Sequence, residues 1–132
     1  MKTTVVKILA PIPGIPLLMI AILFVVDPEQ VTADLGMPLL EGLGRSTQLA
    51  DLGALFTFGA ILTFYGVFKS EGHYLRIGAF LLGLIAPLRV VAWAVNGAEL
   101  ATVLIISEVV LVIWLMGGGV YLDKLKQVDG AE

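Results

Sequence analysis

Three ionisable side chains sit inside stretches that are otherwise apolar: Asp51 in "QLADLGALF", Arg89 in "GLIAPLRVVAWAV" and Glu108 in "LIISEVVLV". A fixed guanidinium charge in such surroundings is costly unless something pairs with it. Ionisable residues within membrane spans usually face the bundle interior, pair with one another and mark functional sites. Arginine cannot shed its proton, so the counter-charge has to come from Glu108 or Asp51. Arg89, Trp93 and Asn96 stand at i, i+4 and i+7, which puts a cation, an indole and an amide on one stripe of a helix. That stripe predicts a polar cavity around Arg89 that opens outward. Pro87, two residues earlier, is expected to distort the same helix and to release a carbonyl that the guanidinium could also use. The competing reading of the charges is a buried clamp that only fixes helix packing.

Other chemistries lack their residues. Cysteine is absent, which removes disulfides, thiol catalysis and cysteine-ligated metals. His73 is the single histidine, in "KSEGHY", so one chain cannot hold a haem between two histidines. It reads as an exposed loop residue. No Ser–His–acid arrangement, phosphate-binding glycine loop or nucleotide fingerprint occurs. The carboxylates have no metal-site spacing, so neither a cofactor nor a metal is expected. The net charge of −3 is spread over the loops, and no basic patch points to nucleic acid.

The elements that position the three charges follow from composition. Of the 132 residues, 58% are hydrophobic and 14% charged, with a mean hydropathy of +0.99, well outside the soluble range. Apolar runs at about 8–26, 47–68, 74–95 and 100–122 each approach the ~20 residues that a helix needs to cross the hydrocarbon. Residues 1–132 therefore read as one all-α transmembrane domain, an integral membrane four-helix bundle with a 27–46 loop. Lys2, Lys7, Lys69, Arg76, Lys124 and Lys126 gather at the N-terminus, the second connection and the C-terminus. That distribution predicts cytoplasmic termini and an external 27–46 loop. Within that loop Asp27 reads as an N-cap with Pro28 at the first helical position, followed by Val31 and Leu35 before Gly36, so a short surface helix is expected.

"PIPGIP" at 11–16 predicts an irregular first span over residues 8–15, with regular helix from Pro16 to Val26. Gly53, Gly59, Gly66, Ala79, Gly83 and Gly117 to Gly119 are expected to let helices approach closely. "LFTFGAILTFYGVF" reads as core and lipid-facing surface, and Tyr74 and Tyr121 as an interfacial belt. Ser46 reads as the N-cap of the second span, so that Asp51, four to five residues on, could reach Arg89 from above. The third and fourth spans form a hairpin turning near Gly97, which brings Arg89 and Glu108 to within ~4 Å in depth.

"FVVDP", "LRVVAWAVNGAE" and the glutamate of "IISEVVLVIWL" resemble a bacterial family of small four-span proteins, domain of unknown function 4345. The resemblance covers most of the chain. The family's third-span arginine corresponds to Arg89, its turn pair to Asn96 and Gly97, and its last-span acidic residue to Glu108. Where the family tends to open the second span with an arginine and, after an aromatic, a paired glycine, this chain has Asp51 and separated glycines. The resemblance implies a bacterial inner membrane, multi-pass location and no established activity.

Three functions are compatible with these residues. The first is a non-enzymatic protein that binds a lipophilic or weakly anionic small molecule in an outer polar pocket of Arg89, Glu108, Asp51, Trp93 and Asn96, or that serves as an accessory subunit of a larger membrane complex. The second is a membrane enzyme such as a lipid isomerase, with Glu108 or Asp51 transferring the proton. The third is a homo-oligomeric transporter or channel. Beyond the bilayer itself, the partners expected are therefore a lipid or lipophilic ligand and further protein copies.

Overall fold

The computed structural model describes residues 2–130, with side chains from residue 4 onward. The chain is all-α, with no strand among the described residues: α1 Lys2–Leu9, α2 Gly14–Val26, α3 Pro28–Asp34, α4 Gly42–Lys69, α5 Gly72–Asn96 and α6 Thr102–Asp129. Four segments are long and apolar enough to cross a membrane, Thr4–Val26, Gly42–Lys69, Gly72–Asn96 and Thr102–Asp129. The start of α1, the α4–α5 turn and the end of α6 lie at one end of the bundle, called basal below. The α5–α6 turn and α3 lie at the other, distal end.

The core is concentrated in the basal half. Leu17, Leu75, Leu115 and Leu122 are almost completely enclosed, with Ala10, Ala60, Ala79 and Leu82 filling the spaces between them. Small residues set how closely the helices meet. A side chain at Gly66 would run into Leu75 and Tyr74, and one at Gly59 would press on Leu17. Between α5 and α6, Gly72 lies so close to the Gly119 carbonyl that no Cβ fits. Gly117, by contrast, packs on nothing, so the expectation that the whole glycine triplet serves helix approach holds only for Gly118 and Gly119.

The prolines break the first span over a shorter stretch than 8–15. Helix α1 runs to Leu9, the chain turns through residues 10–13, and α2 starts at Gly14, two residues before Pro16. Two overlapping four-residue turns carry the chain across, Ile12 N–H to the Leu9 carbonyl and Gly14 N–H to the Pro11 carbonyl. Pro16 is accommodated because the first-turn positions of a helix need no backbone donor. The Trp114 indole N–H also donates to the Leu9 carbonyl, at 3.0 Å, and ties the break to α6.

The surface helix forms as its sequence dictates. Asp27 accepts from the Gln30 backbone N–H at 3.2 Å, Pro28 occupies the first turn, and Gly36 takes the left-handed conformation (φ 76°) beyond its end. Helix α4 departs from expectation by starting at Gly42 instead of Thr47, so Ser46 lies inside it and Glu41 takes the N-cap position. Polar contacts and not hydropathy extend it: Gln48 accepts from Leu40 N–H and donates to the Pro38 carbonyl, and Arg45 Nε donates to the Leu40 carbonyl. The expected distortion at Pro87 does not interrupt α5, which is helical throughout Gly72–Asn96 and ends on left-handed Gly97 (φ 67°). At the basal end α6 continues seven residues past Leu122.

Candidate functional site

Arg89 and Glu108 stand equally far from the α5–α6 turn, on facing sides of the hairpin. Arg89 Nε donates to Glu108 Oε1 at 2.8 Å. Glu108 is nine-tenths buried, and its other oxygen, Oε2, is buried with no hydrogen-bond partner. A buried acceptor left in that state costs roughly 1–3 kcal/mol. Arg89 keeps 31% of its side-chain surface open, and its two terminal amino groups bond to nothing among the described residues. It takes no carbonyl freed by Pro87. The pair is thus half-satisfied on both sides, with one acceptor and four N–H donors unused.

Helical register shows where those groups point. At Gly78 of α5, a Cβ would lie 3.9 Å from both Leu62 of α4 and Leu115 of α6, so three helix faces meet there. Arg89 follows Gly78 by three turns, Asp51 precedes Leu62 by three turns, and Glu108 precedes Leu115 by two. All three charges therefore continue, distally, the faces that close the basal core. The faces do not stay together. Asp51 is exposed and makes no ion pair among the described residues, and α5 is exposed at nearly every position from Pro87 to its end. Helix α4 instead turns its distal half to α2, with Gly53 against Phe24 and Phe56 stacked on Phe24 at 5.9 Å.

The expected clustering is therefore corrected in part. Arg89 and Glu108 meet, whereas Asp51 does not pair with them, because Phe24 and Phe56 hold the distal half of α4 against α2. Trp93 is half exposed and Asn96 exposed; neither hydrogen-bonds to the pair. His73 lies in the first turn of α5, not in a loop, with its ring beside that of Tyr74, centroids 4.0 Å apart and planes tilted by 36°.

Sequence reading missed a second set of contacts, at the basal end. Arg76 pairs with Asp123 at 2.9 Å and Lys126 with Glu71 at 3.1 Å. Asp123 also accepts from the Gly72 backbone N–H at 2.8 Å, acting as an N-cap for α5 from across the hairpin. The available signal was the equal spacing of Glu71 and Lys126 from the α5–α6 turn, the same relation that links Arg89 to Glu108.

Fold and charges together define a multi-pass, membrane-type helical bundle with one incompletely satisfied buried ion pair. No protein-family profile, curated protein or solved structure matches the chain.

Proposed function

We propose that this chain is a non-enzymatic protein of the bacterial cytoplasmic membrane, related to the domain of unknown function 4345 family. It binds a small lipophilic molecule with a polar head at the seam between α4 and the α5–α6 hairpin. The observation that carries this reading is the buried, unpartnered Oε2 of Glu108 beside the unused N–H groups of Arg89. A hydroxyl or amide on the molecule would donate to Glu108, and a weakly anionic oxygen would accept from Arg89. Water excluded from the seam would make both bonds stronger than in solution. Asp51, on the facing wall, would select against a fully charged anion. The basal end, with its lysines and arginine, faces the cytoplasm. Single cysteines at Glu41 and Gly97 should accordingly react with an impermeant maleimide outside intact cells, and those at Lys69 and Gly130 should not.

Native mass spectrometry of the protein extracted in mild detergent tests the binding reading. Wild type should carry an adduct of a few hundred daltons that the Arg89→Met/Glu108→Met double variant lacks while remaining folded. An adduct that persists in the double variant would refute it. A second reading is favoured by the exposed Asp51 carboxylate within a span. An accessory role, in which a neighbouring helix brings a cation to Asp51, would show instead as a complex of higher mass that Asp51→Asn dissociates.

A further inference from the structure

An open groove of about 630 Å³ runs along the basal half between α1 and α6. Its walls are apolar, with Val6 and Leu9 on one side and Trp114 and Leu125 on the other, over a floor of Ala10 and Gly118. The floor is low because a Cβ at Gly118 would already touch Ala10, at 3.6 Å. Trp114 closes the deep end by its bond to the Leu9 carbonyl. One charge lines the groove, Lys124, near its shallow end beside Tyr121. Lys124 has no ion-pair partner among the described residues. The adjacent Asp123 is committed to Arg76 and Gly72, and in the neighbouring cleft, where Lys126 is held by Glu71, Lys7 lies with the acid Asp129. From Trp114 to Val128 the groove follows α6 for ~21 Å, about half the ~40–45 Å of a bilayer with its headgroups. One lipid chain and its headgroup fit that length within one leaflet.

We infer that this groove is a binding site for an anionic phospholipid, with one acyl chain lying between α1 and α6 and the phosphate on Lys124. The apolar walls match a hydrocarbon chain and exclude a soluble polar molecule. The ammonium, carried on a flexible stem at the open end, reaches the headgroup level. The broken first span has a role here: the turn at residues 10–13 and the glycine at 118 create the depth that an unbroken helix pair with larger side chains would fill. The site is separate from the Arg89–Glu108 seam, and neither reading depends on the other.

Tryptophan quenching by brominated lipids tests it, in a Trp93→Phe background where Trp114 is the only indole. The protein is reconstituted into phosphatidylcholine vesicles containing a small, equal fraction of dibromo-acyl phosphatidylglycerol or dibromo-acyl phosphatidylcholine. Phosphatidylglycerol should be enriched at Trp114 about fivefold over phosphatidylcholine, the size expected for one basic side chain at an anionic headgroup. Lys124→Gln should abolish the preference, and Lys69→Gln, which removes an equal charge on another helix at the same end, should retain it. Val5→Phe, at an exposed position on the groove wall, should lower quenching by both lipids. Equal quenching by the two lipids in the parent, or a preference that survives Lys124→Gln, would overturn the inference. So would a preference abolished by inorganic phosphate at constant ionic strength, since the anion would then be free phosphate and not lipid.

Discussion

The two ends of the α5–α6 hairpin solve the same problem in opposite ways. At the basal end the backbones touch at Gly72 and Gly119, and Asp123 uses both oxygens, one on Arg76 and one on the Gly72 amide. At the distal end a single pair joins the helices, and Glu108 uses one oxygen and leaves the other buried and unbonded. The basal carboxylate is only partly buried, yet fully bonded; the distal one is deeply buried and half-bonded. Stability alone would favour the reverse, because unmet polar groups cost most where water is absent. A closed clamp and an open seam thus share one hairpin, and the incomplete end is the one where the proposed ligand would find unmet polar groups.

The sharpest break in this contrast comes from Gly72→Ala. The added methyl would overlap the Gly119 carbonyl, and backbone cannot step aside as a side-chain tip can. A loss of about 3 kcal/mol or more is expected, read as failure to recover monodisperse protein or as a collapse of the melting temperature. Gly117→Ala, where nothing lies within 4 Å, should melt like wild type. Equal behaviour of the two would mean that the basal end is not closed.

Next in size is the distal pair. Arg89→Leu or Glu108→Leu alone should cost about 3 kcal/mol, the low end of the range for stranding a buried charge, since the guanidinium keeps 31% of its surface open. Glu108→Leu should be the worse of the two, because a stranded carboxylate can take up a proton and a stranded guanidinium cannot lose one. The double variant should lose less than the two singles added together. Additive losses in detergent melts would show that the two residues are uncoupled.

Smaller effects should come from the basal charges. Asp123→Ala removes a salt bridge and a helix cap together and should cost about 1–2 kcal/mol. Lys126→Gln breaks an exposed pair and should cost well under about 1 kcal/mol, less still at high salt. A basal loss from Lys126→Gln as large as that from Glu108→Leu would erase the distinction between the ends.

What the sequence disclosed follows the same division. Hydropathy placed four spans, and distance from the Gly97 turn aligned Arg89 with Glu108, because both are one-dimensional properties of helices. The ends of α4 and α6 were not legible from apolar runs. Each extends beyond its run by polar contacts, Gln48 with the loop before α4 and Asp123 and Lys126 with α5, which depend on partners distant in the chain. Asp51 was misplaced for a related reason. Its register on α4 does point toward Arg89, but whether two helices stay in contact along their whole length is a property of packing, here of Phe24 and Phe56 holding the distal half of α4 against α2. The proline turn at residues 10–13 was legible in kind and overestimated in length, since prolines at the start of α2 break nothing.

The parting of α4 from the hairpin can be measured directly, because the chain has no cysteine of its own. Cysteines at Leu62 and Gly78, whose Cβ positions lie 3.9 Å apart, have the separation of a disulfide and should cross-link rapidly in membranes under mild oxidation. Cysteines at Asp51 and Arg89, on the same two faces three turns further on and in a Glu108→Gln background, should cross-link at least tenfold more slowly. Equal rates for the two pairs would show that α4 stays against the hairpin to its distal end, and the open seam would not exist.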